Sequence, residues 1–215
     1  MMISALTFFG AFNPPTAAHL GLARFALEST GREKAVFVPS RADYIRSDQG
    51  KDFAYGDEQR LAMLRRAAES RPWMAVTDCE LRLEHQPRTY ETLCRLREAG
   101  YDAALLMGSD KLPELEHGWK HVEEITREFG IVCLTRGKDE CSRMIREDPY
   151  LRTLAPYIRV LETPEETRNI SSTQVRRLVR EIREKREELE RLAPPEILSL
   201  LDMRTDTEQK KGGLT

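Results

Sequence analysis

The sequence predicts an α/β fold: a Rossmann-like, doubly wound parallel sheet in a single domain with C-terminal helices. Three observations predict it. Apolar segments of strand length alternate with segments of helical period, the pattern of strands joined by crossover helices. Gly10, Gly108 and Arg136 fall just after such strand segments, at the rim where open α/β sheets bind ligands. A chain of 215 residues also has material for a sizeable single core.

The elements follow in order. Ile3–Phe9 reads as a buried strand and His19–Ser29 as a helix. Ala35–Pro39 is the second strand. Ser40–Tyr55 has no hydrophobic period and reads as a mobile loop. Asp57–Glu69 is a helix with Leu61, Leu64 and Ala68 on one face. Met74–Thr77 is a strand, and Tyr90–Glu98 a helix carrying Leu93, Leu96 and Arg97. Ala103–Met107 is a strand, Val122–Glu128 a helix, Ile131–Leu134 a strand and Glu140–Glu147 a weakly patterned helix. Ile158–Leu161 is the last strand. Ser172–Leu192 is a long helix and Pro195–Leu201 a short one. The expected domain spans 1–204. The polar tail 205–215, with Lys210, Lys211, Gly212 and Gly213, is expected to be disordered.

Composition narrows the function classes. Basic and acidic residues number 34 and 36, for a net charge of −2, so no overall basic excess speaks for nucleic-acid binding. Cys79, Cys94, Cys133 and Cys141 lack the paired spacing of a zinc site and read as reduced thiols. The N-terminal segment lacks a basic region and soon meets Gly and Pro, unlike a signal peptide. No apolar run approaches the roughly 18 residues of a membrane helix. A cytoplasmic protein is expected, with no membrane partner.

Two stretches carry the chemistry. One is Gly10-Ala11-Phe12-Asn13-Pro14-Pro15-Thr16-Ala17-Ala18-His19 and the other Asn169-Ile170-Ser171-Ser172-Thr173-Gln174-Val175-Arg176-Arg177. Each opens a helix, whose unpaired N–H groups and positive dipole end suit phosphate. The first adds an imidazole that can carry charge. The second adds hydroxyls and a guanidinium, which can clamp phosphate oxygens bidentately. Two anion sites on one chain point to a nucleoside triphosphate. Thr16 and His19, three apart, share a face of the first turn. The bland alternatives are a core or capping histidine and an N-cap cluster at Ser171-Ser172-Thr173. Gly108-Ser109-Asp110 ends a buried strand; Asp110 can accept from ribose hydroxyls or cap the next helix. Trp119 is a stacking platform or a core plug. Beyond Arg177, the Glu181/Lys185 and Glu187/Arg191 pairs mark a solvated helix face.

These residues resemble the nicotinamide/nicotinic acid mononucleotide adenylyltransferases of the HxGH nucleotidyltransferase superfamily. Beside the two end motifs, Arg88-Thr89-Tyr90-Glu91-Thr92-Leu93, Met107-Gly108-Ser109-Asp110-Lys111-Leu112, Trp119-Lys120 and Gly130-Ile131-Val132-Cys133-Leu134-Thr135-Arg136 resemble the family's middle segments. The matches run from about residue 3 to residue 201 in the family's order. Where the family carries a lysine or His–Lys after the second strand, this chain offers Tyr44, Arg46 and Lys51.

The resemblance implies transfer of an adenylyl group from ATP to a pyridine mononucleotide, nicotinate or nicotinamide. It implies His19 as charge stabiliser at the α-phosphate and bridging oxygen, with Thr16 binding phosphate or orienting His19. The Gly10, Ala11 and Phe12 backbone would approach the nucleotide, and Ser171, Ser172, Thr173 and Arg176 would hold its phosphates. Gly108 and Asp110 would take ribose, Trp119 would stack on the pyridine, and Thr89 and Arg136 would complete the mononucleotide side. Mg²⁺ would ride on ATP without a protein cage. Two alternatives stay open at this point. One is a nucleotidyltransferase of the same fold with another acceptor, pantetheine phosphate or a cytidylyl substrate. The other is a non-catalytic, nucleotide-binding regulatory protein.

Overall fold

The computed structural model describes residues 1–49, 55–135, 141–163, 171–180 and 186–201. Six strands form one sheet: β1 (Ile3–Gly10), β2 (Lys34–Pro39), β3 (Met74–Val76), β4 (Tyr101–Gly108), β5 (Ile131–Leu134) and β6 (Ile158–Leu161). Their order is β3-β2-β1-β4-β5-β6, the doubly wound arrangement that reverses between its first and fourth strands. β1/β4, β4/β5 and β5/β6 pair in parallel, with Phe8 opposite Leu106, Leu105 opposite Ile131 and Ile131 opposite Ile158. The expected fold class is therefore the observed one.

Contacts group the chain into two compact units. The first comprises Met1–Phe9, Leu22–Val36 and Pro87–Arg168. Its core is β4, where Ala103 to Met107 are buried in succession, with Ile131 to Leu134 of β5 beside it. Such unbroken burial is what a parallel strand covered on both faces requires. The second unit comprises Gly10–Gly21, Phe37–Gln86 and Asn169–Thr215. It buries Phe12, Phe37, Met63, Leu64, Val175 and Leu178.

Several elements differ from the sequence expectation. Ser40–Tyr55 is not simply a loop: Ala42–Gln49 is a helix, α2. It was hidden because only Ala42 and Ile45 form its apolar contact, with Ala11 and Tyr44 packed against them. Here α1 is Ala17–Thr30 and α3 is Asp57–Ala68. The buried face of α3 is Arg60, Met63, Leu64 and Ala67, one step round from the expected stripe. The chain then forms α4 (Thr89–Glu98), α5 (Leu115–Gly118) and α6 (Val122–Glu124), which runs into a π-turn at Ile125–Phe129. The expected helix at Val122–Glu128 is thus split. α7 is Cys141–Glu147, and α8, Pro149–Leu154, was unexpected. Asp148 starts α8 by accepting from the Tyr150 and Leu151 N–H groups, with Pro149 at its first position. The long C-terminal helix is described as α9 (Ser172–Arg180) and α10 (Arg186–Leu192), with 181–185 outside the described residues. A 3₁₀ turn at Pro195–Ile197 leads into α11 (Leu198–Leu201). The tail 205–215 also lies outside the described residues.

Candidate functional site

The first motif runs from the end of β1 into α1. Thr16, 1 % exposed, precedes that helix, and its Oγ1 accepts the His19 backbone N–H at 3.3 Å. In return the Thr16 N–H donates to His19 Nδ1 at 3.0 Å. This is a reciprocal cap of the S/T-x-x-E/Q kind, with imidazole in the place of the carboxamide. The buried Thr16 side chain thus faces the His19 ring. A nitrogen that accepts a backbone N–H carries a lone pair, so the ring proton sits on Nε2.

Phe12 supports the ring from one side. It is 2 % exposed and lies edge-on to His19, centroids 5.2 Å apart at 81°, and tilted on Phe37 at 5.3 Å. Its ring thus packs against both His19 and Phe37. Phe12 has φ +43°, a left-handed conformation costing roughly 1–3 kcal/mol for a bulky residue and persisting only where the surroundings fix it. Gly10 makes room for that ring: a Cβ there would meet Phe12 ring atoms at 3.2–3.4 Å. The missing side chain at Gly10 therefore leaves space that the Phe12 ring occupies.

The second motif closes on the first within the same unit. Ser171 caps α9: Gln174 N–H donates to Ser171 Oγ at 3.3 Å, and Ser171 N–H to Gln174 Oε1 at 2.8 Å. The capping alternative is right for Ser171 alone. Ser172 Oγ donates to the Pro14 carbonyl at 2.8 Å. Arg176 Nη1 donates to the Asn13 carbonyl at 2.5 Å and Nη2 to Thr173 Oγ1 at 3.0 Å. The structure thus brings His19, Thr16, Ser172, Thr173 and Arg176 onto one loop framework.

Asn13 and Arg60 were not singled out from the sequence. Asn13, 4 % exposed, accepts the Tyr55 N–H on Oδ1 at 3.2 Å. Arg60 is wholly buried on α3 and donates to the carbonyls of Ala11 and Ser40 while pairing with Asp57. Burial pulls its pKa down, and Asp57 opposes that shift. The available signal was an arginine on the apolar stripe of a helix, three residues after an aspartate.

The first unit holds the other predicted residues. Thr89 opens α4, where first-turn N–H groups have no intrahelical partner. Gly108 ends β4 and precedes a 3₁₀ turn, Ser109–Glu114, that carries the exposed Asp110. A Cβ on Gly108 would lie 2.5 Å from Asp110 Oδ1, so glycine lets that carboxylate fold back over the strand end. Asp110 is not the cap of this turn, because Gly108 occupies the cap position. Trp119 is half-buried at the end of α5 and lines a cavity of about 560 Å³ with Glu116, His121, Glu124, Arg127 and Tyr150. It is not a core plug. Beside the cavity, Tyr90 donates to Glu128 at 3.0 Å and stacks on His121 at 5.2 Å, while Arg97 pairs with Glu128 at 2.9 Å. The hydrogen bond to Glu128 pushes the Tyr90 phenol up to about 12. Arg97, then Tyr90, hold the Glu128 carboxyl low. Arg136 lies outside the described residues.

Comparison with known proteins then decides the family. The cytidylyltransferase-like family profile matches residues 7–178, which include both motifs. A probable nicotinate-nucleotide adenylyltransferase of Neisseria meningitidis serogroup A is 33 % identical over 175 residues, covering 79 % of this chain and 85 % of that protein. The chain belongs to the nicotinate-nucleotide adenylyltransferase family. A second such relative, from Caldicellulosiruptor bescii, is 26 % identical over 172 residues, 80 % of this chain and 84 % of that one. In fold, the chain resembles the Plasmodium falciparum nicotinic acid mononucleotide adenylyltransferase complexed with NaAD. The TM-score is 0.68 at 17 % identity, over 93 % of this chain and 95 % of that one. As a member of the adenylyltransferase family, the chain carries its Thr16–His19 pair, rather than two histidines, at the start of α1.

Proposed function

We propose that this adenylyltransferase of NAD biosynthesis takes nicotinic acid mononucleotide as acceptor and releases the nicotinate dinucleotide and pyrophosphate. The observation that carries the reading is the reciprocal Thr16–His19 pair, set on a loop that Arg176 and Ser172 tie down. The names of the relatives, nicotinate-nucleotide adenylyltransferases, support the acceptor.

A mononucleotide phosphate oxygen attacks the α-phosphorus of ATP. One P–O bond forms there as the bond to the bridging α–β oxygen breaks, and pyrophosphate departs with the electron pair. The attacking oxygen is already ionised at neutral pH, so no general base is required. The barrier comes from anion meeting anion and from charge growing on the leaving group, and positioned donors lower it. His19 offers Nε2–H to that charge while Thr16 holds Nδ1. Arg176, with Thr173, faces the triphosphate, and Ser171 and Ser172 hold the loop. Gly10, Ala11 and Phe12 contribute backbone on the ATP side.

Asp110 accepts from ribose hydroxyls beside Gly108, and Thr89 presents backbone N–H groups to the pyridine carboxylate. Trp119 stacks on the pyridinium, whose positive charge suits an aromatic face bordered by Glu116 and Glu124. Arg136 is proposed for the acceptor on the resemblance alone. Mg²⁺ is proposed as a companion of ATP held by phosphate oxygens, as the chemistry of a triphosphate favours. The ion would neutralise charge on the triphosphate. Among the described residues no helix is long and apolar enough to cross a membrane. The cysteines are thiols, which fits a cytoplasmic setting.

Pyrophosphate release from ATP, measured with nicotinic acid mononucleotide, with nicotinamide mononucleotide and with neither, tests the proposal. Release that depends on the nicotinate substrate is expected. Release with nicotinamide mononucleotide alone, or with neither acceptor, overturns the assignment.

A further inference from the structure

The left-handed backbone at Phe12 needs something to hold it, and Arg60 is the group in reach. Its guanidinium is wholly buried and donates to the Ala11 carbonyl, the first half of the Ala11–Phe12 peptide. The same guanidinium takes the Ser40 carbonyl at 2.6 Å and pairs with Asp57, so its plane is fixed from three sides. Asp57 in turn accepts the Ala42 N–H at 2.8 Å, which anchors the carboxylate to the start of α2. The planar fork can satisfy two carbonyls and a carboxylate at once, which an ammonium cannot do with the same geometry. Drawing the Ala11 carbonyl toward Arg60 sets the rotation of the peptide that leads into Phe12. That rotation sets where the Phe12 ring lies, and the ring lies edge-on to His19.

We propose that Arg60 is a positioning residue for adenylyl transfer: by fixing the Ala11–Phe12 peptide it seats Phe12 against His19 and keeps Nδ1 on the Thr16 N–H. The proposal rests on the role given to His19 above. Arg60 touches no substrate in this scheme and acts through the loop.

The test separates positioning from stability. Arg71 is a control from the same unit. It donates to the Ala67 carbonyl and pairs with Glu196, both at 2.8 Å, and none of these partners belongs to the first motif. Arg60→Met, Arg60→Lys and Arg71→Met are compared by thermal unfolding, by kcat and KM, and by the ring ¹⁵N resonances of His19, assigned by their loss in His19→Gln. Arg60→Met should lower kcat about tenfold or more, with the ATP KM changed less than about threefold. Its His19 resonances should depart from the single Nε2–H tautomer of the parent protein. Arg60→Lys should fall between the two, and Arg71→Met should lower the melting temperature while leaving kcat and the His19 resonances unchanged. Should Arg60→Met fail to fold, Arg60→Lys, which keeps a cation beside Asp57, carries the test. Parent-like His19 resonances in the folded Arg60 variants overturn the proposal, whatever their turnover. A parent protein that releases no pyrophosphate overturns the proposed function instead, and the resonances still report on the Arg60 contact.

Discussion

Thr16 and His19 exchange hydrogen bonds in both directions, backbone N–H to Nδ1 at 3.0 Å and backbone N–H to Oγ1 at 3.3 Å. The ring nitrogen used for capping accepts, so the ring proton belongs to Nε2, the donor in the proposed reaction. His19→Ala should therefore cut kcat by roughly 10²-fold or more, as removal of a preorganised donor does elsewhere. His19→Gln can place an N–H near the Nε2 position and should recover part of the loss. His19→Asn, whose amide reaches only the Nδ1 position, should not. Steady-state kinetics of the three variants checks this. Equal loss in all three would mean that the Nε2 donor does not matter.

Arg176 ties the second motif to the first. If it also clamps phosphate as proposed, Arg176→Ala should raise the ATP KM and lower kcat, losing that cation and loosening the Asn13 carbonyl. Arg177, exposed on the same helix, is the comparison. Arg177→Ala should leave both parameters within about twofold, as a solvated surface change does. Similar losses from both changes would point to general basicity in place of a clamp.

Trp119 should separate the two substrates. Losing an aromatic face from a flat cationic ring removes about 1 kcal/mol beyond area burial, so Trp119→Ala should raise the mononucleotide KM severalfold. The ATP KM should stay nearly unchanged, and Trp119→Phe should restore part of the affinity. A rise in both constants would remove the stacking role.

The Tyr90–Glu128–Arg97 cluster gives a pH signature. The Tyr90 phenol holds its proton to about pH 12 in the fold, against 10.0 for an ordinary tyrosine, so the stability it contributes is full below pH 10 and lost as pH rises toward 12. Glu128 is shifted the other way. Its contribution is full above the ordinary value of 4.5 and lost as pH falls through its lower folded value. Glu128→Gln should bring Tyr90 back toward 10 in a ¹³C-tyrosine titration and flatten the acid limb of the stability curve. A Tyr90 resonance still titrating near 12 in that variant would exclude Glu128 as the cause.

Much of this arrangement was legible in the chain, for a physical reason. Strands buried on both faces leave continuous apolar runs, so Ala103–Met107 and Ile131–Leu134 announce themselves. Helix starts also leave marks, as Thr16-x-x-His19 and Ser171-x-x-Gln174 do. What escaped was structure whose cause is distant in sequence. α2 shows no periodic stripe because it is held through Ala42, Ile45 and the Asp57 carboxylate. Arg60 was not singled out because the Ala11 and Ser40 carbonyls that converge on it lie 49 and 20 residues away. Nor did Gly10 announce that the Phe12 ring packs over it, two residues on.

The bonds from Ser172 to Pro14 and from Arg176 to Asn13 join residues 158 and 163 positions apart. During synthesis the first motif leaves the ribosome early, and its two carbonyls must wait for their partners until about three-quarters of the chain has followed. The finished loop thus arrives late and through a slow kind of contact to form, one that closes a long stretch of chain. A nascent chain halted before residue 172 would have its strands and its histidine but no finished loop.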